Sequence, residues 1–129
     1  MYQDFVEIST KTGDIIDITN EVEKIVNDSG IKNGFCLVFN TGSTGSILVN
    51  ENESRLLEDF GEMMGKLTEG EHNHPSNAHS HLKAGLMGPG KTMGIDNGEL
   101  QLGTWQSIML WEFDVKPRER KILVKVIGD

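Results

Sequence analysis

Intrachain disulfide chemistry is excluded at the outset, because Cys36 is the only cysteine in the chain. It sits in the apolar run FCLVF, where a cysteine serves as a small buried hydrophobe. Aromatic residues are scarce at 6 %, so aliphatic side chains and six methionines must fill much of the interior. Basic residues are outnumbered too: twelve lysines and arginines face twenty acids, for a net charge of -8 and a pI near 4.9. Binding nucleic acid or an anionic membrane surface needs an excess of cations that this chain lacks. A small phosphorylated partner remains compatible, since a local basic cluster can oppose the overall sign. No apolar block reaches the length of a membrane span or signal peptide, and the N-terminal MYQDFVEIST alternates and carries acid. The expectation is a cytoplasmic protein, and 129 residues fit one compact domain, 1–129.

The chain does contain clear periodicities. Phe5–Ser9 and Asp14–Ile18 alternate loosely around KTGD and predict a two-stranded hairpin. A helix follows, with Asn20 as cap, Glu23 completing a capping box, Val22, Ile25 and Val26 as its stripe, and Gly30 as its stop. GFCLVF predicts a strand buried on both faces, and ILVN resumes after the break NTGSTGS. Leu56, Leu57, Phe60, Met63, Met64 and Leu67 mark one face of the clearest helix. A polar stretch, TEGEHNHPSN, leads into a short helix capped by Asn77 or Ser80 and ended by Gly88-Pro89. KTMGI and LQLG flank an Asn97-Gly98 turn of the primed type. WQSIMLWEF and KILVKVI are two further strands, joined by DVKPRER. Tight connections between strands imply a mostly antiparallel sheet with helices gathered on part of it, an α+β domain.

Every histidine lies in EHNHPSNAHSH, between Glu71 and His81. Neutral imidazole suits zinc, nickel and similar ions, and two or three histidines with an open position suit an exchangeable or catalytic site. His79 and His81 share a side in an extended segment but diverge on a regular helix. With Ser80 as cap they can converge, and His72 or His74 then closes the set across Pro75, with Glu71 as a carboxylate candidate. The plain alternative is a solvated loop whose histidines bond backbone or water. NTGSTGS offers backbone N–H groups and hydroxyls that can cradle an anion, but it lacks the ending of a P-loop and also reads as a bulged turn. Glu53 is placed to start the following helix, whereas Glu51 is free to face the histidine cleft. Lys83, Lys91, Arg118 and Arg120 are candidate phosphate holders whose default role is solvated charge. Trp105 either packs the core, the simpler reading, or floors a pocket.

Three stretches occur in the order found in one family. GSTGSILVNEN (Gly42 to Asn52), NAHSHLKAGLMGPG (Asn77 to Gly90) and NGELQLGTWQSIMLWEFD (Asn97 to Asp114) together resemble the YjbQ-like proteins, also called secondary thiamine-phosphate synthase enzymes. The resemblance implies a bulged antiparallel sandwich with packed helices, a homotrimer with clefts near subunit boundaries, and a metal or anion site at the histidine block. By position, His79 and His81 match the family's histidines, with His72 taken as the upstream one. Gly42 stands where many relatives have histidine. The implied activity joins a hydroxymethylpyrimidine diphosphate to a thiazole phosphate with loss of pyrophosphate. That scheme has a divalent metal, zinc by ligand type or magnesium for the synthase reaction, held by His72, His79 and His81. Glu51 is its acid/base, and Gly42, Ser43, Thr44, Lys83 and Trp105 hold a phosphorylated or heterocyclic substrate. A non-catalytic protein that binds a metal or small metabolite, and a structural trimer whose histidine loop lines an interface, use the same features.

Overall fold

Three short connections that read as turns between neighbouring strands instead carry the chain from one sheet to another. The computed structural model describes residues 1–129. Strand β1 (Tyr2–Thr10) does not pair with β2 (Ile15–Asp17) across the KTGD turn. It pairs with β8 (Arg118–Gly128), while β2 pairs with β7 (Ser107–Glu112), so the expected N-terminal hairpin is corrected to a crossover. β3 (Gly34–Asn40) and β4 (Gly45–Asn50) likewise part at NTGSTGS, and β7 and β8 part at DVKPRER. The result is a five-stranded sheet ordered β1-β8-β3-β5-β6 and a three-stranded sheet ordered β2-β7-β4, with every pairing antiparallel. With three helices packed on them, this is the expected α+β class.

β5 (Gly90–Asp96) and β6 (Glu99–Leu100) do form the hairpin that Asn97-Gly98 predicts, with φ of 51° and 80° at the two turn residues. The main core lies between the sheets. Val6, Cys36, Val38, Ile122, Val124 and Val126 of the larger sheet meet Ile47, Ile108 and Leu110 of the smaller one, and helix α1 (Thr19–Ser29) adds Val22, Ile25 and Val26. Burial raises the Cys36 thiol to about 11, as suits an inert core residue. α1 is started by Asp17, which accepts from both the amide and the hydroxyl of Thr19, and Gly30 ends it in the left-handed conformation. The expected cap at Asn20 is therefore corrected: the cap position is Ile18, which offers no side-chain acceptor, and Asp17 just before it supplies the bond instead.

The other face of the smaller sheet is covered by helices α2 (Ser54–Leu67) and α3 (Ala78–Met87), through Leu48, Met109, Trp111 and Phe113 against Met64 and Ala84. Glu53 caps α2, as expected, by accepting from the Leu56 amide. Of the helix's apolar stripe only Met64 is fully buried, and Met63 and Leu67 are exposed. The strand buried on both faces is consequently β7, not the GFCLVF of β3. In β3, Cys36 and Val38 point into the core while Phe35 is 64 % exposed. Lys91 reaches back from β5 to the carbonyls of Ile47 and Met87, at 2.9 Å each, and so ties the end of α3 to β4. Desolvation there pushes its pKa down.

One close approach fixes the register of the larger sheet. Gly34 and Gly128 are paired across β3 and β8, and a Cβ on Gly34 would overlap the Ile127 carbonyl oxygen. Gly34→Ala is expected to lower unfolding free energy by more than about 2 kcal/mol, because backbone, not a flexible side chain, must move. Urea denaturation followed by circular dichroism checks this.

Candidate functional site at the sheet crossover

All three crossovers meet at one corner, and a buried ion pair stands inside it. Glu112 ends β7 of the smaller sheet, and Arg120 lies on the inward face of β8 in the larger one. The guanidinium bonds both carboxylate oxygens, Nε to Oε1 at 2.7 Å and Nη2 to Oε2 at 2.6 Å. This parallel fork is the strongest side-chain pairing geometry available. Thr10, at the end of β1, donates its hydroxyl to Glu112 Oε1 at 2.7 Å, and the Asp114 amide donates to Oε2 at 3.0 Å. Nη2 also donates to Thr44 Oγ1, just before β4, at 2.9 Å. Strand ends from both sheets thus share one hydrogen-bonded cluster.

The NTGSTGS loop wraps over this guanidinium. A side chain at Gly42 would overlap Arg120 Nη1, and one at Gly45 would press on the same group and on Asn40. Asn40, itself buried, donates to the Gly42 carbonyl and fixes the loop from within. Gly42 and Thr44 therefore both face Arg120, with Ser43 between them and exposed. Arg120, expected to be solvated, is instead 5 % exposed.

From this corner a polar relay leads to the histidines. Asp114 is buried, with Arg118 paired to it at 3.1 Å and with Asn77 and Thr44 beside its carboxyl, where they help lower its pKa. Asn77 stands at the start of α3, and His74 Nε2 lies 3.1 Å from its amide oxygen. Ser80, inside the first turn, donates to the Phe113 carbonyl, so α3 is pinned against β7 where the histidines begin. Because α3 starts at Ala78, His79 and His81 both sit on helix and diverge. Each then meets a histidine of the preceding loop, His79 with His72 at 4.7 Å between ring centroids and His81 with His74 at 4.8 Å. Glu71, His72, His74 and His79 line one open pocket of about 360 Å³, which His81 does not line. His72 Nε2 lies 2.9 Å from the Thr68 carbonyl oxygen. The donors are right in kind for zinc, but no three His, Cys, Asp or Glu residues converge as a ready metal site.

The remaining expected residues stand apart in one chain. Glu51 and Trp105 line a shared hollow with Asn50 and Gln106 beyond the far end of β4. A six-residue strand separates that hollow from Thr44, a distance of about 20 Å. Trp105 is 72 % exposed, which corrects the expectation that it packs the core. Lys83 faces a different cavity, beneath α2. Asp114, Asn77 and Glu112 were missed by sequence reasoning. The usable signal was a pair of acids, Glu112 and Asp114, directly after the apolar SIMLW, together with Arg120 in register with the inward Ile122, Val124 and Val126.

Burial alone would raise the Glu112 and Asp114 carboxyls, but their donors outweigh it. Arg120, Thr10 and the Asp114 amide hold Glu112 below its ordinary 4.5, and the Val115 amide, Asn77, Arg118 and Thr44 hold Asp114 below 3.8. Folded values that lie below unfolded ones add stability at pH above the unfolded range. That stability is lost as pH falls through the folded values. Thr44→Val, which removes the hydroxyl that accepts from Arg120 and that helps lower Asp114, is expected to cost about 1–3 kcal/mol at neutral pH. It should also flatten the loss of stability on acidification below about pH 4.5. Thermal melts of both proteins across that range check both statements.

Comparison with known proteins places this arrangement. The family described as "UPF0047 protein YjbQ-like" matches residues 4–129. A UPF0047 protein of Methanothermobacter thermautotrophicus is 44 % identical over 120 residues, covering 89 % of this chain and 83 % of its own. The YugU protein of Bacillus subtilis is 34 % identical over 125 residues, covering 93 % and 94 %. A crystal structure from Sulfolobus solfataricus, described as a YbjQ-like protein of unknown function, superposes with a TM-score of 0.89 at 38 % identity and covers 98 % of both chains. A hypothetical protein of Aeropyrum pernix superposes with a TM-score of 0.87 at 34 % identity, covering 98 % of this chain and 99 % of that one.

Proposed function

Because the chain belongs to the YjbQ-like UPF0047 family, we propose that its histidine loop and glycine loop form one binding site for a small anionic metabolite and a divalent metal, zinc by ligand type. The observation that carries this is the succession His74–Asn77–Asp114–Thr44–Arg120. His74 lies 3.1 Å from the Asn77 oxygen, Asn77 and Thr44 lie beside the Asp114 carboxyl and help lower its pKa, and Arg120 donates to Thr44. A relay of this kind orients exposed groups from behind, as outer-shell partners do at metal sites. His79 and His81 with His72 are the proposed metal ligands, and because His79 and His81 diverge on α3, their convergence requires the first turn of that helix to unwind as well as the rings to rotate. The amides of Gly42 and Ser43 find no backbone acceptor and are the proposed anion donors. Glu112 already neutralises Arg120, so the anion is held mainly by these dipoles and the metal.

Assembly belongs to the same proposal. Phe5, Phe35, Leu37, Phe39, Leu123 and Ile127 lie on the outer face of the larger sheet, and no element of the chain covers Phe35 or Ile127. A homotrimer that covers this face supplies further walls to the site, and it is the means by which Glu51 and Trp105 of one copy approach the histidines of another. Synthesis of thiamine phosphate, with Glu51 as acid/base, magnesium in place of zinc, and Lys83 and Trp105 on the substrate, is the narrower form of the proposal. No helix of the chain is long and apolar enough to cross a membrane, and a cytoplasmic setting is proposed with it.

Elemental analysis of untagged protein tests the metal directly, with the assembly state read by light scattering. Stoichiometric metal is expected in the parent. At least about tenfold weaker retention is expected in His79→Ala/His81→Ala, with assembly unchanged. No metal after incubation with zinc and nickel, or full retention in the variant, contradicts the proposal.

A further inference from the structure

A second cavity, of about 550 Å³, opens between α2 and the β2–β7 side of the smaller sheet and shares no lining residue with the histidine pocket. Its size falls in the range of small-molecule sites. Its apolar surface comes from Ile15, Leu57, Met64, Trp111 and Phe113, with the last two rings 4.7 Å apart. Two further lining residues are Glu58 of α2 and Lys83 of α3, and neither takes part in an ion pair of the chain. Asp14 adds a second carboxylate to the lining, one oxygen of which accepts from the Lys11 amide. Glu112 also lines the cavity, but Arg120 already compensates its charge. The cavity thus presents two carboxylates outside any ion pair and one such cation beside an apolar surface.

Gly61 supplies an independent observation. It lies in the interior of α2 and lines the cavity, and a Cβ added there meets no atom within 4 Å. A glycine in a helix interior costs about 1 kcal/mol relative to alanine, and here no neighbour in the chain demands it. Its consequence is to leave the wall of the cavity open.

We propose that this cavity binds a small zwitterion with an apolar body, of the α-amino-acid type. The ammonium group faces Glu58 and Asp14, the carboxylate faces Lys83, and the side chain rests on Trp111 and Phe113. A pure anion meets two carboxylates there, and a pure cation leaves Lys83 without a partner. The site uses none of the histidines, so it stands or falls apart from the metal proposal.

The test follows Trp111 emission in a Trp105→Phe background, in which it is the sole tryptophan. L-phenylalanine is titrated beside 2-phenylethylamine, which lacks the carboxylate, and 3-phenylpropionate, which lacks the amine. Saturable binding of L-phenylalanine is expected, with each analogue weaker by about tenfold or more, the loss of one charge-assisted hydrogen bond. Glu58→Gln should weaken L-phenylalanine by a similar factor and should not weaken phenylpropionate, from which it removes a like charge. Gly61→Leu should abolish binding by filling the cavity, with the circular dichroism spectrum retained. Absence of saturable binding, equal binding of all three compounds, or unchanged binding in Glu58→Gln overturns the proposal.

Discussion

The Glu112–Arg120 pair is the interaction on which the rest of the molecule depends. Three connections cross between the two sheets, and backbone bonds hold two of them at the end of β7, where Gly13 and Asp14 pair with Glu112 and Thr44 accepts from Phe113. The pair sits where they converge and bonds one sheet to the other through two charge-assisted contacts. Desolvating both ions is costly, and mutual attraction alone does not reliably offset that cost. Here Glu112 also accepts from Thr10 and from a backbone amide, and Arg120 also donates to Thr44, so both groups are well satisfied. An apolar pair of similar volume would fill the space but would not specify which strand ends meet. The pair's contribution is therefore positional as much as energetic.

That position reaches the surface through a short path. Asp114 follows Glu112 by two residues, and Thr44 touches both Arg120 and Asp114. Asn77 continues the path to the start of α3, where Ser80 pins the helix to the Phe113 carbonyl. The histidine loop is long and polar, yet its far end is anchored to the best-buried strand in the protein. Its residues have exposed side chains on a fixed base, which suits a site that must accept a ligand and still hold its geometry.

Much of this was legible in the sequence, and the failures have a common cause. Periodicity located α1, α2 and the β5–β6 hairpin, because those depend on neighbours within a few residues. The KTGD turn is as tight as it reads, but tightness does not name a partner strand. β1 pairs with β8, at the other end of the chain, and that choice is made by the shared core of Val6, Ile122 and Val124. The histidine cluster is plain in the sequence, but how its members pair depends on whether Asn77 or Ser80 caps α3, a shift that moves His79 between loop and helix. Arg120 reads as turn charge until its register with Ile122, Val124 and Val126 is noticed. Size and hydrophobicity favour burial of Trp105, whereas the GTWQ loop leaves it exposed at the end of the sheet.

A double-mutant cycle on Glu112→Leu and Arg120→Leu, with stability measured by urea denaturation, tests the central claim most directly. Each single change strands a buried charge and should cost about 3–5 kcal/mol. The double variant should cost far less than the sum, with a coupling of more than about 2 kcal/mol. Additive losses, or single losses below about 1 kcal/mol, would mean that the crossovers hold together without this pair.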